Sequence, residues 1–139
     1  MRTIQTRFGE VEYDPGNLLH FPAGMIGFPT LHNFVVMPNK KTGPLFWIQS
    51  VDDPDIAFVL TDPTNFFLTY KVVPDEAEKS HLRIDSKDDC FILSVVTVPP
   101  DKKITLNLQA PILYSPKTNR AMQVILEENG YSTKTPLPE

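Results

Sequence analysis

Much that would narrow a function is scarce in this chain. Cys90 is the single cysteine among 139 residues, so no internal disulfide can form and no Cys-x-x-Cys pair exists for zinc. A lone thiol suits a reducing cytoplasm. The three histidines, His20, His32 and His81, are scattered, and no His-x-x-x-His pair arises. No serine sits in a Gly-x-Ser-x-Gly elbow. Glycine is sparse, at 6 residues, and Gly24-Met25-Ile26-Gly27 has apolar residues between its glycines and no Lys-Ser/Thr after them, which excludes a nucleotide loop. Basic excess is absent too: 13 Lys and Arg face 17 Asp and Glu, a net charge of -4, against a dedicated nucleic-acid binder. Long apolar runs are missing. The first 13 residues carry Arg2, Arg7 and Glu10, so neither a signal peptide nor a membrane span is expected.

Proline is abundant instead, at 14 residues spread from Pro15 to Pro138. Scattered prolines leave little room for long helices and punctuate short strands. Residues 3–8 and 11–13 predict a hairpin turning at Gly9-Glu10. Further strands are predicted over 18–21, 34–37, 46–51, 57–61, 66–73, 90–98, 103–113 and 121–126, each rich in β-branched or aromatic residues, with 39–44 a polar connection. The 90–98 run is continuous enough to be buried on both faces. Pro74-Asp75-Glu76-Ala77-Glu78-Lys79-Ser80-His81-Leu82 places proline and acids before Lys and His, the order that complements a helix dipole, and predicts one short helix. The expected fold is all-β: one small antiparallel domain over 1–139, barrel or sandwich, with the polar 127–139 tail ordered only in part. With 41% hydrophobic residues a single core needs no metal or disulfide.

Two features exceed what folding asks. The turn between predicted strands holds Ser50, Asp52, Asp53, Pro54 and Asp55, three carboxylates within four positions, where one or two such residues suffice for local hydrogen bonds. They lack the spacing and the distal glutamate of a calcium loop, so no metal and no cofactor is expected. Met25, Ile26 and Phe28 are bulky for a glycine turn; they either fold inward or form an exposed apolar knob that marks a binding site. Neighbouring acids such as Asp52-Asp53 or Asp88-Asp89 seldom face each other across a cleft, which disfavours a hydrolase. Phe66, Phe67 and Tyr70 have only Lys71 as a nearby cation, which disfavours an RNA-binding sheet. A protein-binding module is favoured over an enzyme, with an RNA-binding barrel and a carboxylate hydrolase as the alternatives.

Phe21-x-x-Gly24-x-Ile26-Gly27-Phe28 and Gln49-Ser50-Val51-Asp52-Asp53-Pro54-x-Ile56-Ala57-Phe58 resemble the flagellar assembly factor family FliW. So do Thr97-Val98-Pro99, Asn107-Leu108-Gln109-Ala110-Pro111-Ile112, Gln123-Val124-Ile125-Leu126 and Tyr131-Ser132-Thr133, in the family's order and across nearly the whole chain. Leu113-Tyr114-Ser115 and Thr135 depart from the family's usual residues. The resemblance implies a cytoplasmic, non-enzymatic regulator with a barrel-like fold. Such a protein binds flagellin and, when free of it, the translational repressor CsrA, so that flagellin synthesis tracks secretion. A monomer without direct nucleic-acid or membrane contact is expected. Met25, Ile26 and Phe28 are the candidates for an apolar surface that takes an amphipathic helix of flagellin. Ser50, Asp52, Asp53 and Asp55 are the candidates for the turn that faces the repressor's basic surface, and Asn107 and Gln109 share a face of their predicted strand.

Overall fold

The computed structural model describes residues 1–6, 9–38, 44–126 and 130–138. Its strands are β1 (Arg2–Thr6), β2 (Gly9–Tyr13), β3 (Leu19–His20), β4 (Asn33–Pro38), β5 (Phe46–Ser50), β6 (Ala57–Thr61), β7 (Phe91–Thr97), β8 (Thr105–Leu106), β9 (Ile112–Ser115), β10 (Arg120–Gln123) and β11 (Thr135–Pro136), with one α-helix, α1 (Glu76–Leu82). β1 and β2 form a separate hairpin. Gly9 and Glu10 lie within β2, opposite Thr6 and Gln5, rather than forming the expected turn; residues 7 and 8 lie outside the described residues, as do 39–43 of the expected polar connection and 127–129 and 139 of the tail.

Seven strands close on themselves. β3 pairs β4, then β5, β6, β7, β9 and β10 follow in turn, and β10 returns to β3 through a parallel pairing, Arg120 opposite His20. Closure removes the free edges that many short strands would otherwise expose. The result is a small β-barrel with a single short helix. Each barrel strand places one buried residue in the common core, Leu19, Phe34, Ile48, Leu60, Leu93, Ile112 and Ala121, and the partly buried Phe46, Phe58, Val95 and Tyr114 pack against them. The period-2 alternation then points their neighbours outward. Leu113, beside Ile112, joins a second core with Leu82 and Ile84 beneath α1. Val96 joins a third with Tyr70, Leu106 and Leu108. This is why the apolar run of β7 is continuous: its inner residues fill the barrel and its outer ones are covered, although Phe91 at its start is 48% exposed.

α1 forms within the predicted 74–82 segment but begins at Glu76, with Asp75 as its cap and Pro74 ahead of it. Asp75 accepts the N–H of Glu78 at 2.7 Å and Glu78 returns the bond to the N–H of Asp75 at 2.9 Å, a reciprocal cap. Three expectations fail for local reasons. Residues 66–73 form no strand: Asp62 caps a single 3-10 turn, Pro63–Asn65, and the aromatics that follow pack across the outside of the barrel. The predicted 103–113 strand breaks after Leu106, because the Asn107 side chain accepts the N–H of Ala110 and Pro111 has no N–H to donate. β10 ends at Gln123, and the last strand is β11, which pairs with β8.

Candidate functional site

The loop between β3 and β4 carries Met25, Ile26 and Phe28. Its ends are closed by the Phe21 N–H donating to the His32 carbonyl at 2.7 Å, while His32 Nδ1 meets the Phe21 carbonyl at 2.9 Å. Within it Met25 and Phe28 exchange backbone hydrogen bonds at 3.1 and 2.8 Å. Gly24 is indispensable there: its φ is +74°, and a Cβ would lie 2.7 Å from backbone atoms of Phe28 and Pro29. The tight turn splits the apolar residues. Met25 is buried in the barrel core, Ile26 is 50% exposed, and Phe28 sits edge-on against Phe58 with ring centres 5.4 Å apart. The Ile26 N–H donates to Gln123 Oε1 at 2.9 Å, which ties the loop tip to β10.

Met25, Ile26, Asn107 and Gln109 meet at one groove of about 310 Å³, floored by Phe58 and Val95. Asn107 and Gln109 reach it from a loop rather than from a strand face. The Tyr70 hydroxyl supports that loop by donating to the Leu108 carbonyl at 2.7 Å, and burial, reinforced by nearby Tyr131, pushes its pKa up to about 12. Phe58 and Val95 also line a larger, apolar groove of about 700 Å³ with Trp47, Val59, Val98 and Ile104. Sequence reasoning missed this second groove. Trp47, Val59 and Val96 lie side by side across β5, β6 and β7, a juxtaposition legible only once register is known.

Ser50, Asp52, Asp53 and Asp55 lie apart from both groove linings, in the β5–β6 turn. Most of this turn is occupied by its own fold. Buried Ser50 accepts the N–H groups of Asp52 and Asp53 through Oγ at 3.1 and 2.9 Å. Asp53 Oδ1 accepts the N–H of Asp55 at 3.0 Å. Asp52 Oδ2 accepts the N–H groups of His32 and Asn33 at 2.8 and 2.9 Å, so this carboxylate braces the base of the 25–28 loop. Gln49, fully buried, donates through Nε2 to the carbonyls of Ser50, Pro54 and Ile56. The Asp55 carboxylate makes no hydrogen bond or ion pair among the described residues, leaving it to solvent.

The histidines are less scattered than their spacing suggests: His20 and His32, at the two ends of the loop, have ring centres 6.4 Å apart. No group of three or more His, Cys, Asp or Glu placed to hold a metal occurs among the described residues. Burial, with Glu78 nearby, raises the Cys90 thiol above its ordinary value, the reverse of nucleophile activation.

The fold and grooves define a small closed β-barrel with one helix and an apolar face opened beside a glycine-hinged loop. The sequence profile of the FliW protein family matches residues 2–137. Similar proteins include a flagellar assembly factor FliW of Syntrophotalea carbinolica, 65% identical over 137 residues, 99% of this chain and 98% of that protein. Another is flagellar assembly factor FliW 2 of Desulfotalea psychrophila, 67% identical over 138 residues, 99% and 91% of the two chains. A crystal structure of the flagellar assembly factor FliW superposes with a TM-score of 0.89 at 32% identity, covering 99% of both chains. The chain belongs to the FliW family of flagellar assembly factors.

Proposed function

We propose that this flagellar assembly factor binds flagellin in the cytoplasm and, when free of it, binds and antagonises the repressor CsrA, coupling flagellin synthesis to secretion without catalysing a reaction. The observation that carries the flagellin half is the groove where exposed Ile26 meets Asn107, Gln109 and Gln123 over an apolar floor. An apolar helix face needs such a floor, with polar groups at its rim. For the repressor half, the β5–β6 turn presents Asp52 and Asp53 on a braced backbone and leaves the Asp55 carboxylate free, an acidic surface suited to a basic RNA-binding face. Screening limits repulsion of RNA to acids within a Debye length, about 8 Å at physiological salt.

Titration calorimetry against flagellin and CsrA separately, then against each with the other bound, tests this reading. Binding to both with flagellin displacing CsrA is the expected outcome; binding to neither removes it. The double replacement Asp52→Asn and Asp53→Asn keeps an acceptor oxygen at each position while removing the charge. It is expected to weaken antagonism of the repressor and leave the fold intact, and undiminished antagonism would exclude the acidic turn.

A further inference from the structure

The barrel is closed, but one of its seams is open along part of its length. β6 and β7 pair at Thr61–Ser94, Leu60–Val95 and Val59–Val96, and there the ladder stops. Both strands continue. Ala57 and Phe58 remain paired to β5, and Thr97 to β8. The apolar groove of about 700 Å³ lies at this divergence and is lined from both sides, by Ala57, Phe58 and Val59 and by Thr97 and Val98.

The direction of the backbone groups follows from the ladder. The Ser50 N–H donates to the Ile56 carbonyl, so in the β5–β6 register the residues that hydrogen-bond to β5 are Phe58 and Leu60. Ala57, Val59 and Thr61 therefore turn their N–H and C=O toward β7. On β7, the Val95 carbonyl accepts the Asn107 N–H on the opposite side, so Ser94 and Val96 turn toward β6, and the same register carried just past the end of β7 brings Val98 to that side. Val59 and Thr61 find partners in Val96 and Ser94. Carried on in register, the next hydrogen-bonding rung would pair Ala57 with Val98, but among the described residues no such pairing forms, and Val98, just past the end of β7, is 52% exposed. Among the described residues, the seam-side backbone groups of Ala57 and Val98 thus find no partner in the ladder, and both residues line the apolar groove.

We infer that an extended segment of flagellin enters this seam as an inserted strand, its main chain bonding to Ala57 and Val98 and its alternate apolar side chains filling the space over Trp47, Val59 and Ile104. This rests on the flagellin reading above. A helix leaves these groups unanswered, because its own N–H and C=O groups are bonded internally, whereas an added strand supplies both main-chain bonds and side chains at a period of two. Phe58 and Val95 line both grooves, so a bound chain can pass from the helix-accepting groove beside Ile26 into the seam without leaving apolar surface.

The test uses the full chain and its cognate flagellin. Val98→Pro removes one seam N–H just beyond the end of β7, while Val98→Ala keeps it. Val98→Pro is expected to weaken flagellin binding about tenfold, the loss of one well-made hydrogen bond, and Val98→Ala less than about threefold. In parallel, hydrogen exchange at the Ala57 and Val98 amides of the wild-type protein is expected to slow when flagellin is added, a readout that does not depend on any variant folding. Flagellin binding with both amides exchanging as fast as in the free protein overturns the inserted strand and leaves the flagellin reading standing. Failure of the wild-type protein to bind flagellin overturns both.

Discussion

The acidic β5–β6 turn and the apolar surface around Ile26 and the β6–β7 seam teach opposite lessons about conspicuous residues. In the turn, three aspartates and a serine crowd six positions, yet Ser50, Asp52 and Asp53 are largely consumed by backbone N–H groups of the turn and of the neighbouring strand. Of the three aspartates in this turn, only Asp55 has a carboxylate with no hydrogen bond or ion pair among the described residues. On the apolar side the residues are ordinary aliphatics, yet Ile26 and Val98 stay about half exposed in a protein with core space for others. What a fold leaves unsatisfied points outward more reliably than what its sequence makes prominent.

The two regions are mechanically joined, since Asp52 braces the loop that Gly24 bends. The largest expected effect is at that bend. Gly24→Ala forces a Cβ into backbone atoms of Phe28 and Pro29 at 2.7 Å and holds an L-residue at φ +74°. A loss of about 3 kcal/mol in urea unfolding is expected, with flagellin binding falling alongside. If the variant is as stable as wild type, the loop is not the rigid platform described.

Next in size is the brace itself. Asp52→Ala leaves the N–H groups of His32 and Asn33 without their acceptor and is expected to cost about 1–2 kcal/mol; because both lie near solvent, water recovers part of the loss. Asp55→Ala is expected to change stability by less than about 0.5 kcal/mol. Equal effects of the two in chemical denaturation would erase the distinction between a structural and a solvated aspartate in this turn.

A third prediction concerns the loop on the groove's other side. The Tyr70 hydroxyl, donating to the Leu108 carbonyl, has its pKa raised from 10.0 to about 12 in the folded protein. The unfolded chain therefore ionises first: the hydroxyl's contribution is complete below about pH 10 and is lost as pH rises through about 12. Tyr70→Phe is expected to be about 1 kcal/mol less stable at neutral pH. Thermal melts from pH 9 to 12 should show that gap closing in alkali, and a gap independent of pH would place the hydroxyl outside the folding equilibrium.

How much of this was legible beforehand varies with the range of the interaction that decides it. β6 matches its predicted 57–61 span and α1 forms within its predicted 74–82 segment, because strand residue preference and the order of acids before Lys and His are local signals. The run 66–73 misled because Phe66, Phe67, Tyr70 and Val72 owe their apolar character to an outer core, and a short Asp62-capped turn fixes the entry. Asn107 and Gln109 do share a surface, though through a loop and not through strand alternation. Histidines twelve residues apart meet because a closed loop returns the chain to its start. The open seam left no trace in the sequence, since it depends on where two ladders stop pairing. The grouping of Ser50, Asp52, Asp53 and Asp55 was visible at once, but its internal hydrogen bonds were not.

The smallest effect on stability is expected where the effect on function should be greatest. Ile26 is half exposed, and its side chain contributes little to the barrel core, while its backbone N–H is held by Gln123. Ile26→Asp keeps that N–H and places a charge on the apolar groove. Unfolding free energy should move by less than about 0.5 kcal/mol, as for a surface position. Flagellin affinity should fall at least about tenfold, since a carboxylate desolvated against an apolar helix face has no partner there. Asp55→Asn, at the other region, should leave flagellin affinity unchanged and act only on the repressor. If Ile26→Asp binds flagellin as wild type does while Asp55→Asn does not, the two surfaces have been assigned to the wrong partners, and the solvated carboxylate is the flagellin contact.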